Sequence, residues 1–130
     1  MNIKRKSLLS MGLLLSLLAG CATRGIGNAP MDPRILVDSS AKGLVQVVRV
    51  DYGTTAGQTP SLHVALRGES SREHAIEYKI DWFHPEGQPQ STTLSAWQRA
   101  RLSPGEIRDL QLVAPTTDIN NFRLQIRRAD

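Results

Sequence analysis

Cysteine is almost missing from this chain: Cys21 is the one thiol in 130 residues. That count excludes an internal disulfide and any zinc site built from several thiolates. Aromatic residues make up only 5% and histidines number three. With no disulfide, Trp82, Tyr78 and Phe122 are expected to supply much of the core burial. No apolar run approaches the roughly 20 residues of a membrane-spanning helix. Beyond residue 20 no segment sustains a 3.6-residue apolar period, which argues against a helical fold.

What is present begins with a charge–apolar–small order. Lys4, Arg5 and Lys6 precede an apolar stretch from Leu8 to Leu18, and Ala19 and Gly20 follow. This is the pattern of a secretion signal. Leu18-Ala19-Gly20-Cys21 resembles the lipobox of bacterial lipoprotein precursors. Residues 1–20 are therefore expected to be removed and Cys21 to carry acyl chains. Two or more chains give a stable membrane anchor where one gives only marginal binding. Three of the 16 basic residues lie in that leader, leaving 13 against 12 acids, a net charge of +1. The whole-chain charge of +4 thus gives no ground for a nucleic-acid partner. Ala22 after the cysteine resembles the default routing of such lipoproteins to the outer membrane, facing the periplasm. Residues 21–33 read as a lipidated start and a Gly/Pro/Asn-rich tether, and residues 34–130 as one domain.

The domain alternates with period two. Leu62, Val64 and Leu66 point one way and His63, Ala65 and Arg67 the other. Ile76, Tyr78, Ile80 and Trp82 oppose Glu77, Lys79, Asp81 and Phe83. Phe122, Leu124 and Ile126 oppose Asn121, Arg123, Gln125 and Arg127. These runs predict strands with one buried face. Leu44 to Tyr52 predicts a fourth strand, bulged or doubly buried where Val47-Val48 breaks the alternation. Weaker strands are expected over 96–102, 107–113 and 35–37. Gly68 to Arg72 reads as a polar hairpin loop. Ser103-Pro104-Gly105-Glu106 reads as a turn, with Gly105 free to take positive φ. The connector over 114–120 has room for one helical turn. Six or seven short strands fit an all-β, immunoglobulin-like β-sandwich.

Residues for chemistry are sparse. Pairing the strand of His63 with the next places Glu77 or Lys79 opposite it, and brings neither His74 nor His84 near. No metal site or other cofactor is expected. Gly68-Glu69-Ser70-Ser71-Arg72 lacks the shaped turn of a serine nucleophile. Gly53-Thr54-Thr55-Ala56-Gly57 lacks the Lys-Ser/Thr ending of a phosphate loop. Glu69 and Glu73 read as solvated charges rather than catalytic acids. Two surfaces remain as candidates. Arg67, Lys79, Arg123 and Arg127 occupy outward strand positions and form a candidate basic face, blunted by Glu77 and Asp81. Trp97 with Arg99 and Arg101 forms a candidate interface, since aromatic and arginine clusters are enriched there. Equally, Trp97 can cover one end of the core.

"IEYKIDWFHPEGQP" (Ile76 to Pro89) and "VAPTTDINNFRLQIR" (Val113 to Arg127), with Trp97 between, resemble the strand-and-turn motifs of YcfL-type periplasmic lipoproteins. The resemblance implies an immunoglobulin-like sandwich in the periplasm. It implies no catalytic residue, because that family is of uncharacterised function. Members can be encoded near an outer-membrane lipoprotein that activates a peptidoglycan synthase, an association with the cell envelope only. The expected role is a non-catalytic binding or accessory factor, not an enzyme. It would contact the membrane through Cys21 and an envelope protein through its surface. The alternative is an assembly component of a secretion or surface complex.

Overall fold

The computed structural model describes residues 32–130. The signal segment, the lipobox with Cys21 and nearly all of the tether lie outside the described residues.

Eight strands follow one another: β1 (Ile35–Val37), β2 (Val45–Thr54), β3 (Pro60–Gly68), β4 (His74–Phe83), β5 (Pro89–Gln90), β6 (Gln98–Leu102), β7 (Ile107–Val113) and β8 (Asn121–Arg128). Short 3-10 turns at Ser39–Ala41 and Thr93–Ser95 are capped by Asp38 and Thr92. One sheet runs β1-β8-β4, with β5 and β6 both pairing the far side of β4. The other runs β2-β3-β7. Their apolar faces meet in one core. Leu62, Val64 and Leu66 of β3 and Leu110 and Leu112 of β7 share it with Ile76, Ile80, Leu124 and Ile126 of the facing sheet. The chain is thus an all-β domain of two stacked sheets.

Alternation has done what period two requires: β3 and β8 bury their apolar sets, and β4 buries Ile76, Ile80 and Trp82 with Tyr78 partly covered. The bulge at Val47-Val48 is present, as the β2–β3 register shifts between Val47 and Arg49. Three expectations are corrected. First, β3 and β4 are not neighbours. They lie in opposite sheets, so residues 69–73 cross between sheets and are not a hairpin loop. His63 accordingly stands between Asp51 and Gln111, not opposite Glu77 or Lys79. Second, the residues buried most completely are aliphatic, such as Leu62, Ile80 and Leu124. Trp82 and Phe122 join the core while Tyr78 packs at its margin. Third, 114–120 is turn and bend without a helix.

Ala65 shows why face assignment by period can mislead. It points outward with His63 and Arg67, yet is only 1% exposed. Its lateral neighbours are Arg49 on β2 and Asp109 on β7. Those two side chains join over it, with Arg49 Nη2 donating to Asp109 Oδ1 at 3.0 Å.

Two of the four crossings between sheets, 69–73 and 103–106, meet at Gly68. Its N–H donates to the Glu106 carbonyl and its own carbonyl accepts from Gly105 N–H, each at 2.9 Å. Gly105 takes the positive φ expected of it, +72°. A Cβ on Gly68 would lie 2.2 Å from the Ser103 carbonyl oxygen, a backbone atom that cannot step aside alone. Gly68→Ala should therefore lower the unfolding free energy in urea by about 3 kcal/mol or more, at the upper end of overpacking costs. Gly57→Ala, whose new methyl meets nothing closer than 3.8 Å, should stay within about 0.5 kcal/mol of wild type.

Candidate functional site

The outer face of the β1-β8-β4-β6 sheet is set by strand register. Glu77 on β4 sits between Arg99 on β6 and Arg127 on β8. Lys79 pairs laterally with Gln125, and Gln125 with Leu36 on β1. Asp81 pairs with Arg123. Opposite charges therefore meet across strands: Arg127 reaches Glu77 at 2.8 Å and Arg123 reaches Asp81 at 3.4 Å. Such exposed pairs are worth only about 0–1 kcal/mol each, but they fix where the side chains lie.

Trp97 immediately precedes β6 and lies half-buried on this face, outside the core cluster. The Arg127 guanidinium carbon is 3.8 Å from its ring centroid and the Lys79 ammonium 5.1 Å. Each cation–π contact at an exposed site contributes about 0.5–1 kcal/mol. Beside the ring is an open depression of about 460 Å³, walled by Leu36, Asp38, Ser39, Gln125 and Arg127. Leu36 is 45% exposed, a large apolar side chain held in water next to an aromatic one.

The expected groupings are redrawn by this geometry. Trp97 does not cover the end of the core. Its cationic companions are Arg127 and Lys79, from strands distant in sequence, rather than Arg99 and Arg101. Arg99 shares the face, whereas Arg101 lies toward the start of β4 and pairs with Glu73 at 2.9 Å. The basic face loses one member. Lys79, Arg123 and Arg127 stand together, but Arg67 belongs to the other sheet and pairs with Glu69 at 2.7 Å. Glu69 and Glu73 are thus each tied to an arginine. No group of three His, Cys, Asp or Glu suited to a metal occurs among the described residues.

One cluster had no signal in the sequence pattern. Arg34 lies over Phe122, its guanidinium carbon 4.2 Å from the ring centroid, and 5.4 Å from that of Tyr52. Asp32 holds Arg34 at 2.7 Å and also accepts from the Tyr52 hydroxyl. The Arg34 hydrogen bonds keep the Asp32 carboxyl well below the usual carboxylate range, against the opposing effect of burial. Asp32 falls in the expected tether and Arg34 is the first residue of the expected domain, so composition gave no reason to join them.

The chain belongs to the DUF1425 family, described as proteins of unknown function. The family model matches residues 34–128, nearly the whole two-sheet domain. Two solved structures share the fold. Cj0090 of Campylobacter jejuni superposes with a TM-score of 0.62 at 24% identity, over 75% of this chain and 100% of that one. A DUF1425 member from Shewanella sp. PV-4 superposes with a TM-score of 0.57 at 17% identity, over 66% of this chain and 79% of that one. At these identities the likeness is one of fold. No curated protein matches the chain.

This DUF1425 member also fixes a histidine that looked merely solvated. His84 Nδ1 lies 2.8 Å from Asp118 and Nε2 lies 3.0 Å from Gln90 Oε1. Two acceptors flank the ring, which favours the doubly protonated form. Gln90 and then Asp118 raise the His84 pKa above its ordinary 6.5. A raised folded pKa stabilises the protein fully below the unfolded value and loses that contribution as pH rises through the folded one. Proton NMR titration should therefore place the His84 midpoint above 6.5, and Asp118→Asn should bring it down. Wild type should lose more stability than Asp118→Asn as pH rises from below 6.5 through the raised folded value of His84.

Proposed function

We propose that this DUF1425 member is a lipid-anchored protein of the outer membrane, facing the periplasm, and a non-catalytic binding or accessory factor of the cell envelope. The observation that carries this reading is Trp97, standing on an outer sheet face beside an open depression, with Leu36 exposed nearby. Tryptophan and arginine are the residues most enriched at binding hot spots. The anchor rests on sequence: a basic start, an apolar run and Leu18-Ala19-Gly20-Cys21. The same motifs support a YcfL-type lipoprotein, and two stacked sheets joined by crossings support an immunoglobulin-like sandwich. A membrane-held domain meets envelope partners at raised effective concentration, so even a weak contact on this face is sufficient.

The alternative, an assembly part of a secretion or surface complex, draws on β6. This strand pairs only β4 among the described residues, so its other edge is open beside Trp97.

A photoreactive amino acid at position 97 in intact cells tests the reading. Irradiation should give one discrete adduct, and Cys21→Ser should abolish it by releasing the protein from the membrane. Adducts that form equally well from position 49, on the opposite sheet, would contradict a contact surface at Trp97. Migration in a large, stable complex on native gels would favour the assembly reading.

A further inference from the structure

The Trp97 face, read as a binding surface, carries more than an aromatic ring. Resting on that reading, we infer that the depression beside Trp97 binds a neutral glycan of N-acetylated, equatorially substituted pyranose rings. The depression measures about 460 Å³, within the roughly 300–1,000 Å³ of small-ligand clefts. Trp97, Leu36, Asp38, Ser39, Gln125 and Arg127 line it. Asp38 is held in place by the 3-10 turn it caps, accepting from Ser40 N–H at 2.9 Å. Arg127 is held by Glu77 at 2.8 Å. The Ser39 hydroxyl and the Gln125 amide have no such partner among the described residues and are free to meet a ligand.

Polarity and charge narrow the class. A purely apolar ligand would strip water from Asp38, Ser39 and Gln125 and return no hydrogen bond. An anion would meet the Asp38 carboxylate, while Glu77 already matches Arg127. A cation would meet Arg127 in the wall and Lys79, whose ammonium lies 5.1 Å from the Trp97 ring centroid. A neutral polyol avoids all three penalties. A pyranose with equatorial substituents turns its axial C–H bonds toward its faces, and such a face suits the negative π-surface of an indole. Its rim of hydroxyls, each both donor and acceptor, suits the carboxylate, hydroxyl and amide around the ring. Leu36 remains, 45% exposed. A plain sugar offers it nothing apolar. An acetamido group offers a methyl, and leaves its own N–H and C=O for Ser39 or Gln125.

Two tryptophans give two indole N–H signals in a ¹⁵N–¹H spectrum of the labelled protein, and Trp97→Phe assigns them. Tri-N-acetylchitotriose is the probe. Cellotriose, the same linkage with a hydroxyl in place of each acetamido group, is the matched control. The probe should move the Trp97 resonance saturably and leave that of the buried Trp82 in place. The control should bind roughly fourfold more weakly, the scale of one buried methyl. Leu36→Ala should erase that preference. Gln125→Ala should weaken the probe about fivefold, the scale of one neutral hydrogen bond. An unmoved Trp97 resonance would overturn the inference. So would equal affinity for the two glycans in wild type, or a preference that survives Leu36→Ala. A discrete protein adduct from position 97 in cells, beside an unmoved resonance, would remove the glycan and leave the contact face standing. A saturable glycan response without any protein adduct would keep the glycan site and remove the protein contact.

Discussion

The fold depends on burying one apolar face of each sheet against the other with no covalent crosslink to help. Leu62, Val64 and Leu66 on β3 face Ile76 and Ile80 on β4 and Leu124 and Ile126 on β8, all essentially excluded from water. Burial at about 25 cal/mol per Å² must offset the entropy of ordering the whole domain. The connections between sheets have to close tightly around that core. Gly68 is where two of them do so, with its backbone against Ser103, Gly105 and Glu106.

The same alternation that fills the core empties the outer faces of anything the core needs. Trp82 is consumed by the interior. Trp97 has the opposite parity relative to Ala100 and Leu102, so register sends it outward. There it is held by Arg127 and Lys79, whose positions Glu77 and the neighbouring strands fix. An aromatic ring on a solvated sheet face, ordered by cations and bordered by Leu36, is matched to contact rather than to packing.

Strand faces were legible because period two reports burial directly, and β3, β4 and β8 carry it without interruption. The bulge was legible because Val47-Val48 breaks that period. Strand partners were not legible, since alternation says which way a side chain points and nothing about which strand lies beside it. Hence β3 and β4 were paired when they belong to opposite sheets, and Arg67 was grouped with residues on the far side of the molecule. The matched charges Glu77/Arg127 and Asp81/Arg123 held the missing information: they are complementary only if β4 and β8 are neighbours. Two-residue β5 is too short to leave a pattern. Ala65 is buried by an ion pair contributed by two other strands. Asp32 and Arg34 gain their meaning only from Tyr52 and Phe122, which the fold brings to them.

The central claim is that the two tryptophans divide between core and surface. Urea unfolding of Trp82→Ala and Trp97→Ala, compared with wild type, tests it most directly. Trp82→Ala should cost about 3–5 kcal/mol, as for a large buried aromatic. Trp97→Ala should cost about 1 kcal/mol, the scale of its exposed cation–π contacts. A Trp97→Ala protein as destabilised as Trp82→Ala would place Trp97 in the structural core and contradict a contact surface there.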